Sequence, residues 1–118
     1  MRATVLTLAL VMASPAAPAW ADMAGAFGNT IVSHYPDGGT VRHYFDADGA
    51  YRARFSDGRT LSGRWAERNG RVCLDGIRPR ILMIDSFCTD MVDARVGESW
   101  QARDPIGRRV RNELVRGR

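Results

Sequence analysis

Residues 34–73 read HYPDGGTVRHYFDADGAYRARFSDGRTLSGRWAERNGRVC, and this stretch decides the fold. Segments that combine Gly with Asp, Asn or Pro interrupt it at 36–39, 46–49, 56–58 and 67–70. These residue types favour the backbone of tight turns. Between the turns, large apolar residues alternate with charged or polar ones, which is typical of strands with one buried face and one solvated face. The stretch therefore predicts a meander of antiparallel hairpins.

The rest of the chain continues this rhythm. Short apolar or alternating runs at 30–35, 70–75, 81–84, 99–103 and 108–116 predict further strands. Such spacing predicts an all-β protein, an antiparallel meander of seven to eight strands. Sequential hairpins favour a curled sheet or a small up-and-down barrel, because closure removes exposed strand edges. The predicted core consists of Val41, Phe45, Tyr51, Phe55, Leu61, Trp65, Ile81, Leu82, Ile84, Trp100 and Leu114.

The N-terminal residues have the features of a secretory signal peptide. Arg2 precedes an apolar run at 4–13, and Ala19-Trp20-Ala21 matches a cleavage site. We expect cleavage after Ala21 and a periplasmic or secreted protein. No later segment approaches the roughly 20 apolar residues that a membrane-spanning helix needs. We therefore divide the chain into a signal peptide, a flexible N-terminal lead-in and a single β domain, at residues 1–21, 22–29 and 30–118.

Two cysteines, Cys73 and Cys88, follow the predicted signal peptide. An even cysteine count in an exported protein indicates a disulfide, so we predict that the two are bonded. Closing a loop of this size stabilises a fold by about 3 kcal/mol. The contribution matters here because a small domain buries a modest share of its surface.

Several short motifs occur together in the β region. They are a G-x-W, an N-G-x-x-C, a second cysteine, a G-x-x-W and a terminal G-R, at Gly63-Arg64-Trp65, Asn69-Gly70-Arg71-Val72-Cys73, Cys88, Gly97-Glu98-Ser99-Trp100 and Gly117-Arg118. In this arrangement the chain resembles small exported all-β proteins of alphaproteobacteria that have no assigned activity. The motifs consist of turn and core residues. The resemblance therefore implies a fold and an export destination, and it carries no catalytic residue across.

All 17 basic residues of the chain are arginines, against 13 acidic residues. Four of them are predicted to share the face opposite the aromatic residues on three neighbouring strands: Arg42, Arg52, Arg54 and Arg64. Guanidinium groups bind carboxylates and phosphates in bidentate fashion, so the four form a candidate site for an acidic protein or glycan. The alternative is a solvated face neutralised by nearby acids. Nucleic acid is not expected, because Tyr44 is the only aromatic residue among these arginines.

The two histidines, His34 and His43, lie on adjacent predicted strands. A two-residue loop at Asp37-Gly38 would place both on one face of the sheet. A three-residue loop at Pro36-Asp37-Gly38 would place them on opposite faces, because a slip of one residue inverts every side chain. The sequence leaves both registers open.

We predict no metal or other cofactor and no catalytic residue. Two histidines are too few for a typical zinc site. Asp46-x-Asp48-Gly49 resembles the start of a calcium loop, but the third acid and the distal Glu are missing. Ser33, Ser62 or Ser86 can each be combined with a histidine and an aspartate, but the chain has no G-x-S-x-G motif.

The sequence therefore predicts a non-catalytic, exported, monomeric β domain that binds an acidic partner or ligand through its surface. Two alternatives stay open. One is a periplasmic protease inhibitor of the β-barrel type, which shares the size and general architecture. The other is a small envelope enzyme. A roomy interior would favour a small ligand, a protruding N-terminal segment would favour inhibition, and a polar cleft would favour catalysis.

Overall fold

The computed structural model describes residues 3–5, 19–80, 83–91 and 93–118, and side chains from residue 23 onward within the N-terminal helix. The described residues form a 3₁₀ helix, Ala19–Ala26, and eight strands. The strands are β1 Thr30–His34, β2 Thr40–Phe45, β3 Ala50–Phe55, β4 Thr60–Arg68, β5 Arg71–Arg78, β6 Phe87–Asp90, β7 Ser99–Arg103 and β8 Arg109–Val115. The predicted all-β class is thus confirmed.

All eight strands belong to one antiparallel sheet in the order β6-β5-β4-β3-β2-β1-β8-β7. Strands β1 to β6 follow one another as a meander, whereas β8 crosses over to pair with β1. The sheet curls into a half-barrel whose two edges are β6 and β7. The curled sheet that the sequence predicted is therefore present, and in the described residues it stays open between these edges.

Four of the turns share one geometry, a loop of three residues that ends in glycine. In the first, the Tyr35 N–H donates to the Gly39 carbonyl at 2.9 Å and the Gly38 N–H donates to the Tyr35 carbonyl at 3.0 Å. The closing glycines have positive φ angles of 91°, 93°, 94° and 85°, at Gly38, Gly49, Gly58 and Gly107. Glycine adopts this backbone without strain.

The register of the first hairpin follows from this turn. Its loop has three residues, so Ile31 pairs with His43 and His34 pairs with Thr40. His34 and His43 therefore lie on opposite faces of the sheet, as the three-residue alternative predicted.

The core lies between the concave face of the sheet and the 3₁₀ helix. Of the predicted core residues, five are buried: Val41, Phe45, Tyr51, Trp65 and Leu114. Phe55 and Leu61 are half-buried and pack against them. Ile84 and Trp100 are also half-buried, while Ile81 and Leu82 lie outside the described residues. The apolar run at 81–84 predicted a strand, but β6 begins at Phe87, and Met83 is 85% exposed.

The segment after the predicted cleavage site differs from the expected flexible lead-in. Met23 and Ala26 are buried in the same cluster as Phe45 and Trp65, and the ring of Phe27 lies 5.7 Å from that of Trp65. The sequence of residues 22–29 gave little indication of this packing, because the spacing of Met23 and Phe27 alone does not establish a strand or helix pattern. The predicted signal peptide, its cleavage after Ala21 and the export of the chain stay predictions.

Cys73 and Cys88 form the predicted disulfide. They are directly paired residues of β5 and β6 with Cα atoms 4.0 Å apart. The bond attaches the four-residue edge strand β6 to the rest of the sheet.

Candidate functional site

The outer face of the sheet carries a group of arginines. Alternation along β2 and β3 turns Val41, His43 and Tyr51 inward, and it turns Arg42, Arg52 and Arg54 outward, where all three are exposed. Arg42 pairs directly with Arg54 across the two strands. Directly paired side chains have Cβ atoms about 5 Å apart, and like charges at that distance destabilise a sheet.

A second cross-strand row lies beside this pair. It runs from Tyr44 to Arg52 and from Ser62 to Arg78 over β2, β3, β4 and β5. We define the arginine face as Arg42, Arg52, Arg54 and Arg78. Three hydroxyl side chains lie among these arginines and can donate hydrogen bonds to an anion, at Tyr44, Thr60 and Ser62.

Within the described part of the chain, none of the four arginines forms a salt bridge. The neighbouring Arg118 does form one, with Asp46 at 2.5 Å, and its guanidinium stacks 5.5 Å from the centre of the Tyr44 ring. The Arg52 guanidinium lies 5.7 Å from the centre of the same Tyr44 ring. The arginine face is therefore a local excess of positive charge.

Arg64 differs from the other three arginines that the sequence singled out. Its guanidinium donates to the Asp48 carbonyl at 2.7 Å and lies against Gly49 in the β2–β3 turn. Opposite Arg64, the pairing of β4 with β5 contains a bulge, because Arg64 pairs with Asp75 and Ser62 with Arg78, which leaves one extra residue in β5. Arg64 thus braces a turn, and Arg78 takes the place in the patch that the sequence assigned to Arg64. Strict alternation along β5 from Asp75 would turn Arg78 inward, and the extra residue brings it to the outer face beside Ser62.

The concave face of the sheet encloses a cavity, which we call the cup. As bounded by the described residues, its volume is about 440 Å³. Apolar side chains from most of the strands line it, among them Ile31, Leu61, Leu74, Phe87, Trp100 and Val110. The 3₁₀ helix closes one end, where Met23 lines the cup, and the turns around Tyr35, Arg59 and Ile106 form the rim at the other.

A chain of polar side chains interrupts the apolar wall of the cup. Tyr51 Oη lies 2.7 Å from His43 Nδ1, His43 Nε2 lies 2.9 Å from Ser33 Oγ, and Ser33 Oγ donates to Asn112 Oδ1 at 2.6 Å. Burial lowers the pKa of His43 to about 4, so its ring is neutral at pH 7. Because Ser33 donates to Asn112, His43 Nε2–H donates to Ser33 and its Nδ1 accepts from Tyr51.

The structure brings one of the predicted serine–histidine pairs together, Ser33 with His43. The group at His43 Nδ1 is a phenol, and burial raises the pKa of Tyr51 above its ordinary value. A neutral phenol donates to the ring and does not supply the negative charge that stabilises an imidazolium in a Ser-His-Asp triad. The arrangement is chemically suited to holding a polar group in place.

The second histidine takes part in a separate contact on the outer face. His34 Nε2 lies 3.1 Å from Glu113 Oε2, and Glu113 also faces Arg111 at 3.9 Å. Of the two acids in the calcium-like motif, Asp46 pairs with Arg118, and Asp48 accepts a hydrogen bond from the Ala50 N–H at 3.0 Å. The described residues contain no group of three side chains placed to hold a metal ion.

The rim of the cup has its own hydrogen-bonded group. Tyr35 Oη donates to Asp104 at 3.0 Å, and Arg108 donates to the same carboxylate at 2.9 Å while stacking on the Tyr35 ring. Burial, followed by the charge of Asp104, raises the pKa of Tyr35 to about 12. Despite its partial burial, hydrogen bonds from Arg108 hold the pKa of Asp104 below its ordinary value.

Comparisons of the chain with protein-family models, with curated proteins and with solved structures find no match. None of the helices in the described part of the chain has the length and apolar character needed to cross a membrane.

Proposed function

We propose that this protein is a non-catalytic binding domain whose arginine face binds an acidic partner. The observation that carries the proposal is the direct pairing of Arg42 with Arg54, next to Arg52 and Arg78, without a salt bridge to any described residue. The pairing costs stability in the isolated sheet. A bound polyanion would offset that cost, because its carboxylates would lie between the guanidinium groups.

The chemistry of the face indicates a partner with several carboxylates, in an acidic protein segment or an acidic glycan. Each guanidinium offers a planar pair of donors that matches a carboxylate. The adjacent hydroxyls of Ser62 and Thr60 would bind uncharged oxygens of the same partner. Since the patch is solvent-exposed, binding should weaken as salt rises from 0.05 M to about 0.5 M, where screening shortens the range of the attraction.

The test is a binding titration with two defined polyanions, poly-L-glutamate and a polysaccharide of uronic acids. We expect the wild-type protein to bind one of them in low salt, and the triple variant Arg42→Gln, Arg52→Gln, Arg54→Gln to lose at least about tenfold in affinity. Removal of the like-charge pair should leave the melting temperature unchanged or slightly raised.

A matched control removes three exposed arginines that lie outside the arginine face, through Arg95→Gln, Arg109→Gln and Arg116→Gln. Arg109 pairs directly with Arg103 across β7 and β8, so this control also removes a like-charge pair. The net charge changes equally in both triple variants, so a specific site predicts that only the first loses affinity. Equal losses would show non-specific attraction to a basic protein and would overturn the proposal. The preference between the two polyanions identifies the class of partner.

A further inference from the structure

We infer that the cup binds a small, neutral, mainly apolar molecule that carries one oxygen able to accept a hydrogen bond. This inference is independent of the arginine face, which lies on the opposite side of the sheet. It rests on the shape of the cup, on the polar chain in its wall and on the distribution of charge along its depth.

The shape is that of a small-molecule site. A volume of about 440 Å³ lies within the range of roughly 300–1,000 Å³ that is typical of ligand pockets. One end is closed by the 3₁₀ helix, through Met23 and the packing of Phe27 on Trp65. The other end is open at the rim. A molecule can therefore enter from the rim or between the edges β6 and β7 and bury apolar surface against the concave face.

The polar chain supplies one donor that the described residues do not use. Asn112 Oδ1 accepts from Ser33, whereas no described residue accepts from Asn112 Nδ2. The described residues contain no buried side-chain nitrogen or oxygen that lacks a partner, which agrees with an accessible Asn112 Nδ2. Asn112 lines the cup. A carbonyl or hydroxyl oxygen of a ligand can therefore accept from Asn112 Nδ2.

The rest of the chain fixes that donor in place. Ser33 holds Asn112 by its oxygen, which leaves the nitrogen directed away from Ser33. His43 and Tyr51 fix Ser33 in turn through bonds of 2.9 and 2.7 Å. A preorganised donor costs a ligand little ordering, and such sites discriminate for the matching acceptor.

The positions of the charged residues indicate that the deep part of the cup does not bind an ionic group. Four of the charged groups that line it lie at the rim, namely Arg59, Arg103, Asp104 and Arg108. The fifth, Asp90, lies at the end of the edge strand β6, where its side chain is 92% exposed and faces Arg71. Deeper in, the lining consists of apolar side chains and the neutral groups of the polar chain. An ionised group placed there would be desolvated without a partner, so the ligand must be neutral over most of its length.

The first experiment measures binding of N-phenyl-1-naphthylamine, a neutral apolar fluorophore, to the purified disulfide-bonded protein. We expect saturable enhancement of its emission with one site per chain. Ala102→Trp fills the cup from β7, and we expect at least about a tenfold loss of probe affinity. The matched control is Gln101→Trp, which places the same ring on the outer face of the same strand; it should bind as the wild type does.

The second experiment tests the oxygen acceptor by competition with 2-naphthol and with naphthalene. Asn112→Leu keeps the branched shape of the side chain and removes its amide donor together with the acceptor of Ser33. We expect it to weaken 2-naphthol about three- to tenfold, the value of one neutral hydrogen bond, and to leave naphthalene unchanged. Equal effects on both competitors would overturn the role of Asn112.

Three results would overturn the binding site itself. One is a folded wild-type protein without saturable probe binding, which would mean that other parts of the chain fill the cup. Another is an equal loss of probe affinity in Gln101→Trp and Ala102→Trp. The third is a dimer by light scattering that excludes the probe, which would show that a second copy occupies the cup.

Discussion

His43 lies in the wall of the cup, and its protonation affects the stability of the whole sheet. Both ring nitrogens are engaged, one by Tyr51 and one by Ser33. A proton on Nδ1 would break the bond that the ring accepts from Tyr51 and would place a charge in a largely apolar wall. Burial accordingly lowers the pKa of His43 from 6.5 to about 4.

This shift predicts a loss of stability in mild acid. The unfolded chain takes up the proton below pH 6.5 whereas the folded chain resists until about pH 4, so stability is complete above the first value and falls between the two. The loss amounts to about 3 kcal/mol. We expect urea unfolding to show this fall for the wild type and a flatter profile for His43→Gln. Parallel profiles would show that His43 does not titrate in this way.

The sequence indicated that His43 lies on the apolar face, but it did not indicate all of the side chains that bind it. The alternation of Val41, His43 and Phe45 places a histidine on the apolar face, where it needs hydrogen-bonding partners. One partner, Tyr51, lies on the neighbouring strand β3 and on the same predicted face. Asn112 comes from β8, and no local pattern indicates that β8 lies beside β1. Only the assembled sheet brings the four side chains together.

At the scale of elements, the three-residue turns decide which side chains face the cup. A loop shorter by one residue would have turned His34 inward. The sequence Pro36-Asp37-Gly38-Gly39 admits either loop, because Asp37-Gly38 suits a two-residue turn and Gly38 also suits the last position of a three-residue loop. The structure uses Gly38, with a φ of 91°, while the Gly39 N–H donates to Asp37 Oδ1 at 2.8 Å. The choice between the two-residue and the three-residue loop depends on how the full lengths of β1 and β2 pair.

Substitution at Gly58 tests this turn geometry without steric complications. Its φ angle is 94°, and a Cβ atom there would meet nothing within 4 Å. Gly58→Ala should therefore destabilise the protein by backbone strain alone, by about 1–2 kcal/mol. Gly58→Asn should recover part of the loss, because asparagine tolerates positive φ. Denaturant unfolding measures both, and a neutral Gly58→Ala would contradict the assigned geometry.

At the scale of the whole molecule, the sheet is open and its edges need protection. Strand β6 has four residues and pairs on one side with β5. The cysteine count and the predicted export indicated the disulfide that attaches it. The pairing of β8 with β1 is the closure that the up-and-down barrel alternative implies, whereas hairpin signals gave no indication that the sheet would open between β6 and β7.

The disulfide should account for a large share of the stability of so small a domain. Cys73 and Cys88 are 15 residues apart, and a bond that closes such a loop contributes about 3 kcal/mol. We expect Cys73→Ser with Cys88→Ser to lower the free energy of unfolding by that amount. Hydrogen exchange should accelerate first in β6, while β1 to β3 keep their protection. Uniform acceleration across the sheet would show that the bond does not act through the edge strand.

The pairing of β1 with β8 has a consequence for the order in which the chain can fold. The hairpins from β1 to β6 join neighbours in sequence and can form early, because short loops close quickly. One side of β1 stays unsatisfied until β8 arrives, and the Thr30 hydroxyl then donates to the Gly117 carbonyl across 87 residues. This late closure exposes a strand edge in every partly folded chain. Joining the two ends and opening the chain between β6 and β7, which do not pair with each other, would make the pairing of β1 with β8 local and keep every other pairing between neighbours in sequence.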